Sequence, residues 1–188
     1  MLMGGRVQSA KETRVDGTDD RNVIDYYKYW DEEAILADLD TRRSNFSVFC
    51  VNVSNDFNIG TVIRNANAFL ARQVFIYGRK KWDRRGAVGT HNYSHMEYVR
   101  EVEELKFNPE WFVVGIDNVK NAKDIREFKW PIQRHVLMVF GQEQLGIPEN
   151  VISACHEVIY IPQLGSVRSL NVGTASGIAM YDYIAKVR

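Results

Sequence analysis

SVFCVNVSNDFNIGTVIRNANAFLARQVFIYG, residues 47–78, carries in one stretch the alternation that decides the fold. SVFCVNV (47–53) is a short, continuous apolar run, which suits a strand covered on both faces. IGTVIRNANAFL (59–70) repeats apolar residues at helical spacing, and QVFIYG (73–78) returns to a strand. Working outward, WFVVGID (111–117), HVLMVFG (135–141) and HEVIYIP (156–162) are further buried-strand runs, and Pro148 suits the first turn of a short helix in PENVISAC. Strand and helix alternating in this order predict an α/β fold, a largely parallel sheet flanked by helices. Ahead of it, VIDYYKYWDEEAILADLD (23–40) predicts one amphipathic helix, and residues 1–21, polar and charged, read as a mobile tail. The expected organisation is therefore a tail (1–21), a helical extension (22–45) and one main domain (46–188).

Composition narrows the function classes. The 188 residues are 45% hydrophobic and 12% aromatic, as expected for one globular domain. Lysine plus arginine and aspartate plus glutamate both number 24, so any polyanion site must be local. Cys50 and Cys155 lie in apolar stretches and read as buried, reduced thiols. No run approaches the ~20 apolar residues of a membrane helix, and MLMGGRVQSAKE lacks the apolar core of a signal peptide, so a cytoplasmic protein with no membrane partner is expected. G-x-G-x-x-G, G-x-x-x-x-G-K-[ST] and G-x-S-x-G are all missing from the sequence, which argues against Rossmann, P-loop and serine-hydrolase readings. His91 and His95 stand four residues apart without an accompanying zinc signature, so they read as loop histidines and no metal is expected.

Three segments hold the candidate chemistry. In NDFNIGTVIRNANAF (55–69), Ile59, Val62, Ile63, Ala66 and Leu70 form one stripe and leave Arg64 on the far side of the helix. Arg64 is then either a solvated surface arginine or a guanidinium fork at the edge of a site, with Asn58 at the helix entrance. In LMVFGQEQLGIPEN (137–150), a strand enters a turn that carries Glu143 between Gly141 and Gly146. Such turns lie beyond the carboxyl ends of the strands, where open α/β sheets bind ligands. In LGSVRSLNVGTASGIAMYDYIA (164–185), Ser169 and Asn171 suit helix capping, and the helix that follows is apolar nearly all round. Burial on several sides is expected of that helix, in its own fold and against a second subunit.

Together, NIGTVIR, VFGQEQLG and IPQLGSVRSLNV resemble in order and spacing the three motifs of the SpoU/TrmH family of RNA ribose 2′-O-methyltransferases, in the SPOUT superfamily. The resemblance covers roughly residues 47–186. It implies a C-terminal segment threaded into a deep trefoil knot, an exception to un-knotted topology. It also implies a homodimer and S-adenosylmethionine as methyl donor, held by backbone groups around Gly141, Ile161 and Leu170, with Ile116 and Asp117 as weaker candidates. By the same resemblance Arg64 lies closest to the reacting hydroxyl, and Asn58, Glu143, Ser169 and Asn171 shape the site. Gln142 replaces the family's usual asparagine, and Gly173 replaces a serine or alanine, a change expected to loosen the helix start.

An RNA substrate needs local positive charge. RKKWDRRG (79–86) supplies it after a strand: Lys80, Lys81, Arg84 and Arg85 for phosphates and Trp82 for base stacking, with Arg42, Arg43 and Arg168 as extensions. An ordinary solvated loop is the plainer alternative. With only a tail and one helix ahead of the main domain, tRNA is favoured over rRNA. The rival readings are a catalytically idle, knotted RNA-binding protein and a methyltransferase acting on a base or a protein.

Overall fold

The computed structural model describes residues 19–52, 58–101, 108–142 and 145–187. The main fold has a seven-stranded sheet: β1 (Phe46–Asn52), β2 (Val74–Gly78), β3 (Met96–Val99), β4 (Trp111–Ile116), β5 (Lys123–Asp124), β6 (His135–Phe140) and β7 (Glu157–Tyr160). All pairings are parallel and the spatial order is β3-β2-β1-β6-β4-β7-β5. Among the described residues the α-helices are α1 (Glu32–Asp40), α2 (Asn58–Ala68), α3 (Glu149–Ile152) and α4 (Val172–Val187). The five strands expected from apolar runs are present. β3 and β5 are additions: both lie at sheet edges and are largely exposed, so neither has a buried face to impose an apolar run.

Every residue of β1 is buried, and its side chains divide by the two-residue period of a strand. Phe46, Val48 and Cys50 meet Ile59, Val62, Ile63 and Ala66 of α2 and Ala179, Met180 and Tyr183 of α4. Phe49 and Val51 face the other layer, with Leu137, Val139, Ile147 and Val151. The chain leaves β7 on one side of β4 and returns as α4 to the β1 side, where the Tyr183 ring packs on Phe46 with centroids 5.0 Å apart. Neither Cys50 nor Cys155 is in a disulfide, and burial pushes the Cys155 thiol up to about 12.

The expected single helix over 23–40 is broken. A 3-10 turn (Asp25–Tyr27) is followed by Tyr29 in a left-handed conformation (φ 68°). The helix restarts where the Asp31 side chain accepts from the Ala34 backbone N–H at 2.6 Å. Aspartate competes well as a cap, so the amphipathic pattern is interrupted at that point. The extension packs through Tyr27, Ile35 and Leu39 onto Tyr93.

His135 ties β6 to β1, its Nε2 lying 2.9 Å from Ser47 Oγ and its Nδ1 3.2 Å from Asn45 Oδ1. Burial, then the charge of Arg72, lowers its pKa to about 4. The folded state thus binds fewer protons than the unfolded chain, so the stability held above pH ~6.5 is lost as pH falls toward 4. Thermal melts should show this loss, and His135→Gln should reduce it; an unchanged pH dependence in the variant would contradict the assignment.

Candidate active site

The carboxyl ends of β4, β6 and β7 deliver Asp117, Gly141 and Ile161 to one edge of the sheet, where they border a cavity of about 500 Å³. Gly141 and Gln142 meet Gly146 in a closed turn: Gln142 N–H donates to Gly146 O and Gly146 N–H to Gln142 O, both at 2.9 Å. Gly146 has a φ of +65°, and Asp117 braces the turn by accepting from Ile147 N–H at 2.7 Å through Oδ2. The other oxygen of Asp117 accepts from Asn118 N–H at 2.7 Å, and Asn118 Nδ2 donates to the Arg168 carbonyl at 3.1 Å. The carboxylate therefore acts as a brace for the cavity wall, and its neighbour tethers the loop opposite.

Ser169 and Leu170 complete the wall. Asn171 caps α4, its Oδ1 accepting from Thr174 N–H at 3.2 Å, while its Nδ2 donates to Asn58 Oδ1 at 2.9 Å. That bond joins the first and third sequence segments. One residue beyond Arg64, Asn65 donates through Nδ2 to the Gly173 carbonyl at 2.8 Å and to Ser176 Oγ at 2.9 Å. Gly173 does not loosen the helix: it is buried, and a Cβ there would lie 2.7 Å from Thr61 Cγ2, so its lack of a side chain lets α4 close on α2.

The expected cofactor residues Ile116, Asp117, Gly141, Ile161 and Leu170 all line the one cavity, as do Ser169 and Arg168. Glu143 lies outside the described residues. Arg64 is exposed on α2, as the stripe predicted, but within one chain it lines a different cavity, beside the N-terminal extension. Gln163 was not singled out from the sequence. Its Oε1 is buried and, among the described residues, has no hydrogen-bond partner, although the side chain borders the first cavity. The signal was its place inside the IPQLG segment.

Trp82 is a correction. It is 9% exposed, packed in the core with its ring edge-on to His91 at 5.7 Å, so it offers no face to a base. The segment after it sits close against α2, where a Cβ on Gly60 would lie 2.8 Å from the Asp83 carbonyl oxygen, and this pulls the indole inward. Lys80, Lys81, Arg84 and Arg85 remain exposed; Arg85 pairs with Asp83 at 2.6 Å, and Lys80 lies over the exposed Tyr98 ring at 5.5 Å. Arg43 is a second correction. Its side chain is nearly buried, donating to Asp40 and to the carbonyls of Ala71 and Tyr93, and it is unavailable to RNA. His91 and His95 have separate roles, His95 lying 2.9 Å from Asp40, and no metal-holding cluster occurs among the described residues.

No helix among the described residues is long and apolar enough to cross a membrane. The chain is 27% identical over 151 residues to a tRNA (guanosine(18)-2′-O)-methyltransferase of Aquifex aeolicus, covering 77% of this chain and 71% of the relative. Its fold matches the crystal structure of an A. aeolicus TrmH/SpoU tRNA modifying enzyme with a TM-score of 0.71 at 24% identity, over 82% of this chain and 81% of that one. An AdoMet-bound rRNA methyltransferase from Sinorhizobium meliloti matches with a TM-score of 0.67 at 22% identity, over 81% and 60% of the two chains. The SpoU rRNA Methylase family matches residues 45–181, which take in all three motifs and the lining of the first cavity. The chain belongs to the SpoU family of RNA methyltransferases.

Proposed function

We propose that the protein transfers a methyl group from S-adenosylmethionine to a ribose 2′-hydroxyl of RNA, with tRNA as the favoured substrate. The observation that carries this reading is that residues of the second and third motif segments line one cavity bounded by three strand ends and the loop before α4, with Asn58 of the first motif bonded to Asn171 at its edge. Its volume of about 500 Å³ suits a ligand of this size. Ile161, Leu170, Val172 and Ile147 supply apolar wall, and the unpartnered Gln163 acceptor fits a nucleobase amino group. The tRNA preference is supported by the relative named for a tRNA ribose position.

The cofactor supplies a methyl group on a sulfonium centre that is already electrophilic. The protein's task is to hold a hydroxyl in line with that methyl and to favour the charge that develops as the hydroxyl loses its proton. A guanidinium is suited to orienting and electrostatic work, so Arg64 orients the hydroxyl or an adjacent phosphate through its planar fork. Asn58 and Asn171, bonded to each other, fix the geometry where α2 and α4 meet, and Ser169 adds a hydroxyl at the cavity wall. Glu143 is assigned to the same site by its motif position.

A homodimer and a C-terminal knot belong to the same reading. Ile178 is 38% exposed and Tyr181 64% exposed on α4, while Ala179, Met180 and Tyr183 bury its other face. An apolar surface of this kind suits a second copy of the chain, which would complete the burial expected of the helix. The return of the chain from β7 to α4 on the β1 side supports a threaded segment. A cytoplasmic location is part of the proposal.

Isothermal titration with S-adenosylmethionine tests the cofactor site: saturable binding supports it, and no binding contradicts it. The basic loop makes a second prediction. Replacing Lys80, Lys81 and Arg84 with glutamine should weaken tRNA binding and flatten its salt dependence by about 2–3 in the log–log slope, at ~0.7–0.9 per phosphate contact. Arg85 is left out because Asp83 already neutralises it. An unchanged slope would remove the loop from the RNA interface.

A further inference from the structure

Trp82 offers no face to a base, yet the strand beside its loop presents another aromatic ring. Tyr98, near the end of β3, is 37% exposed, against 9% for Trp82. The parallel registers set Phe140, Cys50, Ile76 and Tyr98 in one row across β6, β1, β2 and β3. Side chains in such a row share a face of the sheet, and the first three are buried in the core that α2 covers. β3 is an edge strand, so the row ends in a ring that the core leaves open to solvent. Glu97 alternates to the opposite face, where its carboxylate accepts from Gln73 Nε2 at 2.7 Å.

The basic loop is fastened beside this ring. Asn52, wholly buried at the end of β1, accepts from Arg79 N–H at 2.7 Å through its backbone carbonyl. Its Nδ2 donates to the carbonyls of Arg79 at 2.6 Å and Lys81 at 3.2 Å, so the backbone on both sides of Lys80 is held. Lys80 Nζ lies 5.5 Å from the centroid of the Tyr98 ring, and Arg79, Lys81 and Arg84 are exposed in the same loop. Phe140 precedes Gly141 of the first cavity, and three strand spacings of ~4.8 Å put Tyr98 about 14 Å from it along the sheet. We propose that Tyr98 is a stacking platform for an unpaired base of the RNA substrate, in a nucleotide other than the one that is methylated. The base takes the ring, and the flexible Lys80 side chain turns its ammonium to the phosphate of that nucleotide. This proposal rests on the methyltransferase reading.

Stacking and charge leave different marks on binding. Tyr98→Leu and Tyr98→Phe are made in the full-length protein, and unmodified bulk tRNA is titrated over a series of salt concentrations alongside calorimetry with S-adenosylmethionine. Tyr98→Leu should weaken tRNA binding about tenfold at every salt concentration and leave the log–log slope at the wild-type value, because stacking releases no counterions. Tyr98→Phe keeps the ring and should bind like the wild type. Cofactor affinity should stay at the wild-type value in both. Wild-type tRNA affinity in Tyr98→Leu, equal losses in both variants, a loss with a flatter slope or a loss shared by the cofactor would overturn the platform. Absence of tRNA binding by the wild type would overturn it as well. Failure of the wild type to bind S-adenosylmethionine would instead strike the methyltransferase reading.

Discussion

Replacing Arg64 with alanine is expected to lower the rate of methyl transfer by about 10²–10³-fold while leaving the affinity for S-adenosylmethionine unchanged. The size is that expected on removing one charged donor aimed at developing negative charge. The unchanged affinity follows from the geometry, since Arg64 does not border the first cavity. Arg64→Lys keeps the charge but loses the planar, two-point fork, so it should recover only part of the lost rate. Single-turnover transfer to tRNA, with cofactor binding measured in parallel, reads both quantities. Full activity in both variants would show that the exposed guanidinium is a solvated surface group.

That separation of Arg64 from the first cavity marks the limit of what the sequence disclosed. The strands with continuous apolar runs were legible because burial on both faces leaves no polar alternation, as in β1. Met96–Val99 and Lys123–Asp124 were not, because edge strands are held by backbone bonds to one neighbour and place few constraints on side chains. Tyr29 hid the break in the extension, since a left-handed tyrosine leaves no compositional mark of the kind glycine does. The resemblance to the family pointed to residues that line the first cavity, Asp117, Gly141 and Ile161, each of which follows directly on a strand end. The sequence misled at Trp82, which sits among basic residues in the chain yet is drawn into the core by the close approach of its segment to α2. Charge along the chain does not say which side chain the packing will take.

Gly141→Ala should abolish cofactor binding. A Cβ at this position would lie 2.2 Å from the carbonyl carbon of Gly146, 2.4 Å from its oxygen and 2.4 Å from Ile147 N. All three are backbone atoms held by the mutual Gln142 and Gly146 bonds and by the bond from Ile147 to Asp117, so no side chain can swing aside. The turn must open, which removes a wall of the cavity as well as several hydrogen bonds. Overpacking of this kind costs about 3 kcal/mol. At ~2–4 °C per kcal/mol for a chain of this size, the melting temperature should fall by roughly 6–12 °C. Calorimetry should show S-adenosylmethionine affinity reduced by more than about 100-fold at a temperature where circular dichroism reports the variant folded. A variant with wild-type melting temperature and affinity would contradict the close turn as the floor of the cofactor site.

Methyl transfer to a ribose hydroxyl leaves a mark that can be located on the RNA. Incubating the purified protein with labelled S-adenosylmethionine and unmodified total RNA, followed by mass-spectrometric mapping of the labelled nucleotide, tests it most directly. Methyl transfer to ribose predicts label in the tRNA fraction, on the ribose 2′-oxygen of a defined nucleotide, and its loss in Arg64→Ala. Label on a base, or no label in any RNA class from protein that binds the cofactor, would contradict it.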